Sequence, residues 1–428
     1  MNIFSKKYLF FLILTGLAAL VLLGLYHDRR TVAGSNDLDT YYFAAKLVLS
    51  GEDLYTHEAF RTTISPYLYL PFLAVAMSPL ALLPIRAVGV IWYLLAVGAF
   101  LGSIYLLYRL LFADEDIRSV SKGVDGIAAA VSLVFITAIW VDNVSLAQVD
   151  FMILFLMLSS VLFMRRGNDV TAGILVAAAG TVKIYPLLFF LYFLAKRKKM
   201  ALTGVFIGLV LFVVVIPFLA MGQAGYTDSM VKWLSIRAKP HMEVGKERVE
   251  STRAHYEAQL KPKNQALSSV ATRFLLKDDP CVRKLRVENF KYDIRWPRPF
   301  LPWQVDIVVM ALILCVLAVT FLGLDYRGRI PGFLGEDLEC AVIFLAMILC
   351  FPMVKSHTFA PSVLPLALFI KLAAGKLLGR REFILFFLAF ALYVSMGLKC
   401  MQVLGAGMFS MLLLWWLFVG VIWRIRSI

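Results

Sequence analysis

Apolar stretches of helix-forming length recur from one end of the chain to the other, starting at Tyr8 to Tyr26 and ending at Leu404 to Trp423. A helix that crosses a bilayer needs about 20 mostly apolar residues, and runs at 87–110, 124–141, 150–164, 201–220, 303–323, 338–352, 358–374 and 383–400 meet or approach that length. The first run follows Lys6 and Lys7 as in a signal peptide, but no small-x-small cleavage site follows it, so it reads as an uncleaved helix.

Short basic clusters separate these runs: Lys6-Lys7, Arg165-Arg166, Lys196 to Lys199, Arg327 with Arg329, Arg380-Arg381, and Arg424 with Arg426. Loops rich in lysine and arginine stay on the cytoplasmic side, so these clusters mark one face. Alternation then places Ala113 to Lys122 inside, and Asp142 to Asp150 together with two longer polar segments, 27–85 and 221–302, outside. Two stretches do not fit a full crossing. Residues 170–195 must leave and return in too few residues for two spans, which predicts a short hairpin with Lys183 near its tip. The segment from Ser65 to Pro84 carries Pro66, Pro71 and Pro79 as well, which interrupt helical hydrogen bonding, and reads as a re-entrant or interfacial element. In the first external segment Ser35-Asn36 can cap a helix whose Leu38, Tyr42, Ala45 and Leu49 give one apolar face along the outer interface. The pattern predicts an all-α polytopic membrane protein with one membrane domain over residues 1–428 and an external loop helix.

Composition agrees: 61% of the residues are hydrophobic and 17% charged, with a mean hydropathy of +0.80. A soluble fold is excluded. The net charge of +15 would suit nucleic acid, but the cations sit in loop clusters where topology requires them, so no nucleic-acid partner is expected. Four of the five cysteines lie in apolar runs and only Cys281 in a polar loop, which gives neither a disulfide framework nor a zinc spacing. P-loop, dinucleotide-fold, GxSxG and HExxH signatures are missing, so no nucleotide cofactor and no metal is expected.

The polar residues that remain gather on the external side. Asp37 and Asp39 open the loop helix, Asp142, Gln148 and Asp150 flank the second loop, Lys183 tops the hairpin, Asn264-Gln265 lie in the large loop, and Lys355 and His357 end a span. A polyprenyl phosphate would use such an arrangement, since its tail prefers lipid and its anionic head prefers cations at the interface. Lysine or histidine would neutralise the leaving phosphate, and a carboxylate would take the proton of an acceptor hydroxyl as it attacks the anomeric carbon.

Several short runs together resemble a known family. Asp37-Leu-Asp-Thr-Tyr-Tyr, Gly51-Glu-Asp-Leu-Tyr55, Tyr69-Leu-Pro71, Gln148, Thr181-Val-Lys-Ile-Tyr-Pro186, Asn264-Gln-Ala-Leu267 with Arg273, and Ser356-His357 look like the polyprenyl-phosphate-mannose-dependent α-mannosyltransferases of glycosyltransferase family 87, in the GT-C superfamily. The resemblance implies a GT-C-like bundle of about 10–13 transmembrane helices in the inner membrane. It implies an external active site, a polyprenyl-phosphate sugar donor, a glycolipid or glycan acceptor, inversion at the anomeric carbon and no cofactor. Asp37 is then the catalytic base and Asp39 an inferior second choice, with Tyr41, Gln148, Lys183, Asn264, Gln265, Arg273 and His357 as substrate-binding residues. The chain departs from the family's usual Gly-Gln before the fifth apolar run, carrying Ala147-Gln148, and its loop from Gly222 to Pro302 is long and basic.

Each residue also has an ordinary reading. Asp37 could simply favour a helix N-terminus, although Tyr41 one turn on and Tyr55 after the Gly51 break favour catalysis. Lys183 could snorkel, but a charge at membrane depth costs about 2.5–3.5 kcal/mol and calls for a reason. Asn264, Gln265 and Arg273 could cap and solvate a loop helix, and His357 beside Lys355 could be an interfacial pair. Among other functions, a transporter or lipid flippase would carry midplane charges and two related halves, neither of which stands out. A non-catalytic subunit of an envelope glycan machine would have no use for Asp37, Lys183 and His357 together.

Overall fold

A computed structural model describes residues 37–62, 64–113, 126–238, 259–277, 300–330 and 332–427. The expected first helix Tyr8 to Tyr26, the Ser35-Asn36 cap, most of the inner loop 113–122 and Cys281 lie outside these residues. The described chain is helical and contains no strand, only a single bridge between Leu276 and Phe300.

Helix α1 (Asp37–Ser50) packs on α2 (Pro71–Ala81), which begins with proline at its first position, where the missing N–H has no helical partner to lose. α3 (Ile85–Leu111), α4 (Gly126–Ser145) and α5 (Asp150–Arg165) follow close to the apolar runs. α6 (Asp169–Val182), a 3-10 turn Tyr185–Leu187 and α7 (Leu188–Ala195) form the short hairpin, with Lys183 in extended conformation at its turn. α8 (Lys199–Leu209) passes through a π-helical stretch, Val210–Val215, into α9 (Ile216–Ala238). α10 (Leu267–Leu275), α11 (Pro302–Leu322), α12 (Leu334–Cys350), a 3-10 segment Ser356–Ser362, α13 (Val363–Ala374), α14 (Arg380–Ser395) and α15 (Ala406–Ser427) complete the order. Six helices among the described residues are long and apolar enough to cross a membrane, and the chain is an all-α polytopic membrane protein.

Two features differ in detail from the pattern. Segment 221–302 does not begin as loop: α9 carries helix on to Ala238, bent at Gly222, whose φ of +69° suits a residue without a side chain. The core-facing side of α1 is Leu38, Tyr41, Ala44, Ala45 and Leu47, because α2 covers it, and Leu49 is left half exposed. Small residues set the closest helix contact. A side chain at Gly173 would strike the Ala201 carbonyl of α8, and one at Gly204 would strike the Val170 carbonyl of α6, so the two backbones touch directly.

α12 runs through the centre, buried along nearly its whole length. Its first turns carry Glu336, Asp337 and Glu339, and these acids collect the basic clusters: Arg165 Nε lies 2.9 Å from Glu336, Arg165 also bonds Asp337, and Lys196 Nζ lies 2.9 Å from Glu339. Carboxylates at a helix N-terminus are favoured by its dipole, and each buried charge here has a partner. Arg329 donates to the Arg426 carbonyl and Arg426 to the Gly323 carbonyl, so the clusters before α6, after α7, before α12 and at the end of α15 share one end of the bundle. The loop-side residues meet at the other end.

Candidate active site

The turn between α4 and α5 organises the site. Asn143 O accepts the Gln148 N–H at 2.9 Å, and Ala147 takes a left-handed φ of +53°. That conformation costs a non-glycine residue about 1–2 kcal/mol, which gives a physical reason for glycine at this position in the pattern that Ala147-Gln148 departs from. Trp92 Nε1 holds the Ala147 carbonyl at 3.1 Å, and the Leu146 carbonyl accepts the Asp37 N–H at 3.3 Å. The start of α1 is thereby fixed to this turn.

Gln148 lies between two charged groups. Its Nε2 donates to Asp37 Oδ2, and its Oε1 accepts from Lys183 Nζ at 3.2 Å. Lys183 also donates to both oxygens of Asp150, at 2.7 and 2.9 Å, and Tyr185 donates to Asp150 Oδ1 at 3.1 Å. Asp150 is wholly buried and opens α5, so the lysine, the tyrosine and the helix dipole all stabilise its charge. The three ammonium protons of Lys183 match the three acceptors around it. Because a lysine can only donate, it fixes the Gln148 amide with its N–H side toward Asp37.

Tyrosines wall the cluster. The Tyr41 and Tyr69 hydroxyls are 2.9 Å apart with their rings edge to face, and Tyr55 donates to the Tyr69 carbonyl at 2.8 Å. Burial raises the pKa of both Tyr41 and Tyr69 above the ordinary tyrosine value, so both remain protonated. From the large loop, Lys232 of α9 reaches Asp53 at 2.8 Å, which ties that helix to the first external segment.

The structure thus brings together Asp37, Tyr41, Gln148 and Lys183. It places Asn264, Gln265 and Arg273 elsewhere, bonded to backbone. Asn264 Oδ1 accepts from the Ala266 and Val354 amides at 3.1 and 3.0 Å. Gln265 Nε2 donates to the Pro262 and Gln402 carbonyls at 2.6 and 2.9 Å, and its Oε1 accepts from Gly407 N at 3.1 Å. Arg273 donates to the Asn264, Lys261 and Val403 carbonyls at 2.7 to 3.1 Å, and burial lowers its pKa to about 10, still charged at neutral pH. These three side chains fasten α10 to the turns after α12 and before α15 in place of an exposed binding surface. His357, also buried, stands with Nδ1 3.5 Å from Asp142 Oδ2, which accepts from Ser356 Oγ at 2.7 Å.

Asp150 and Tyr185 belong to the cluster but were not among the candidate site residues. The signal for Asp150 was the lone Lys183 at membrane depth, which calls for a counter-charge, and Asp150 opens the adjacent span.

The model of glycosyltransferase family 87 matches residues 67–352. This stretch includes Tyr69, Gln148, Asp150 and Lys183, as well as the loop residues Asn264, Gln265 and Arg273, and it begins after Asp37 and Tyr41 and ends before His357. No curated protein and no solved structure matches the chain.

Proposed function

The chain belongs to glycosyltransferase family 87, and from that premise we propose that it transfers a hexose, mannose, from a polyprenyl-phosphate donor to an acceptor at the outer face of the inner membrane, with Asp37 as general base. The observation that carries this reading is the chain of contacts from buried Asp150 through Lys183 and Gln148 to Asp37, which ends in a carboxylate held in one orientation. Its location supports the outer face, since the cluster lies at the end of the bundle away from the basic loops, and basic loops mark the cytoplasmic side.

In this mechanism Asp37 removes the proton of the acceptor hydroxyl as the oxygen attacks the anomeric carbon from the face opposite the phosphate. The new bond forms between acceptor oxygen and sugar carbon. The bond from that carbon to the phosphate oxygen breaks, and its electron pair leaves with polyprenyl phosphate. Lys183 stays bonded to Asp150 and Gln148 and so fixes the amide that orients Asp37. His357 is a candidate for the phosphate. The proposal is tested by incubating the protein, reconstituted in lipid, with radiolabelled polyprenyl-phosphate-mannose and a lipid extract of the host membrane. Label moving into a new glycolipid supports the reading. No transfer from this donor, but transfer from another polyprenyl-phosphate sugar, would change the sugar and keep the reaction class.

A further inference from the structure

Two arginines line a cavity of about 390 Å³ at the end of the bundle that carries the basic loops, between the first turn of α14 and the last turns of α15. Trp416, Gly420, Trp423 and Ser427 of α15 follow one another at three or four residues and share one helix face, with Arg424 beside them. At about 1.5 Å per residue this face descends about 16 Å along the span. Arg381 and Leu385 of α14 form the opposite wall.

The head of the cavity is positive. Arg424 Nη1 lies 3.0 Å from Glu382 Oε1, its Nη2 donates to the Leu377 carbonyl, and Glu382 Oε2 accepts the Gly379 N–H at 2.8 Å. Glu382 is thus balanced by Arg424 and by the start of its own helix. Arg381 is exposed, and its guanidinium has no ion pair or hydrogen bond among the described residues. One cation is left over, facing the open side of the cavity.

Below the arginines the cavity is apolar. Trp416 and Trp423 are 40% and 43% exposed, with ring centroids 6.1 Å apart. Gly420 leaves a notch between them, since a Cβ there would meet nothing within 4 Å. Glycine weakens a helix interior, and no close backbone approach requires it here, in contrast to Gly173 and Gly204. The notch is space that a side chain could fill and does not.

We propose that this cavity binds an anionic phospholipid, with its phosphate on Arg381 and Arg424 and one acyl chain in the notch at Gly420 between the two indoles. Basic pockets between spans on the cytoplasmic side suit such headgroups, and arginine donates paired hydrogen bonds to phosphate. A soluble phosphate would use the arginines and leave the notch empty, and a zwitterionic lipid would bring a cation of its own toward Arg381. The site lies at the opposite end of the bundle from Asp37 and does not rest on the transferase reading.

The test uses the full chain in phosphatidylcholine nanodiscs holding a small share of phosphatidylglycerol with a photoreactive diazirine in one acyl chain. Saturable labelling is expected within segments 381–385 and 416–424. Unlabelled phosphatidylglycerol should displace it at least about tenfold better than phosphatidylcholine, and inorganic phosphate and glycerol phosphate should not displace it. Gly420→Leu, whose Cβ meets no protein atom, should cut labelling at least about tenfold while the thermal midpoint stays equal or rises. Arg381→Gln, at an exposed position, should weaken labelling about tenfold through loss of a charge-assisted contact. Labelling spread over all lipid-facing helices, labelling unchanged in both variants, or equal displacement by phosphatidylcholine would overturn the proposal. Displacement by inorganic phosphate or glycerol phosphate would overturn it too, since it would assign the arginines to a soluble anion.

Discussion

Gln148 donates its side-chain amide to Asp37 while the same amide accepts from Lys183, so the orientation of one residue is fixed by charges on both sides. A hydrogen bond to a charged group is worth about 1.5–3 kcal/mol, which corresponds to roughly a tenfold to hundredfold change in rate if it is used in the transition state. Gln148→Ala is therefore expected to lower kcat by about that factor with little change in KM for the donor. Gln148→Glu should be worse, because a second carboxylate would face Asp37. Steady-state kinetics on both variants checks this, and an effect confined to KM would instead make Gln148 a substrate contact.

Lys183 and Asp150 form the most deeply buried ion pair of the site, with side-chain exposures of 11% and 0%. Lys183→Met leaves Asp150 uncompensated and should destabilise the protein by about 3–5 kcal/mol. Lys183→Met combined with Asp150→Asn should be milder than Lys183→Met alone, since the double variant removes the charge that the single variant strands. Thermal unfolding in detergent of the two variants decides it. A double variant no better than the single one would place the loss in packing rather than in charge.

Ala147 holds a left-handed backbone that glycine adopts without strain. Ala147→Gly should raise stability by up to about 1 kcal/mol, the relief of strain less the entropy glycine adds to the unfolded chain. A lower thermal midpoint would show that the Ala147 methyl, which is buried, contributes more by packing than its backbone costs.

Arg273→Ala strands the backbone carbonyls of Lys261, Asn264 and Val403. Each unsatisfied buried group costs about 1–3 kcal/mol, so the variant should lose stability, read as a lower thermal midpoint. A variant with full stability would mean that the loop helix is held by its apolar face alone.

Six of the expected spans and the hairpin were legible in the sequence because the signals are local. Apolar length, the basic clusters at Arg165 and Lys196, and the prolines around Pro71 each act within a few residues. Gln148 and Lys183 were legible by motif, and Lys183 also by the cost of a charge at depth. Asp150 read only as one of the polar residues flanking the second loop, and its pairing with Lys183 was not legible, because a pairing across 33 residues leaves no periodic mark. Asn264, Gln265 and Arg273 read as solvated loop residues or ligands, yet their partners are backbone carbonyls and amides at 352–354 and 402–407, which carry no side-chain signature. The course of α9 past residue 220 was hidden by polar residues that a helix at an interface tolerates.

The central claim is that Asp37 is the base. The most direct measurement is the initial rate of label transfer from polyprenyl-phosphate-mannose to lipid acceptor by the parent protein, Asp37→Asn and Asp39→Asn at matched amounts of folded protein. General-base catalysis contributes about 100-fold to 10,000-fold. A loss of that size with Asp37→Asn, unchanged donor binding and near-normal rates with Asp39→Asn are the predicted results. Asp37→Asn transferring at the parent rate would contradict the account and remove Asp37 from the mechanism.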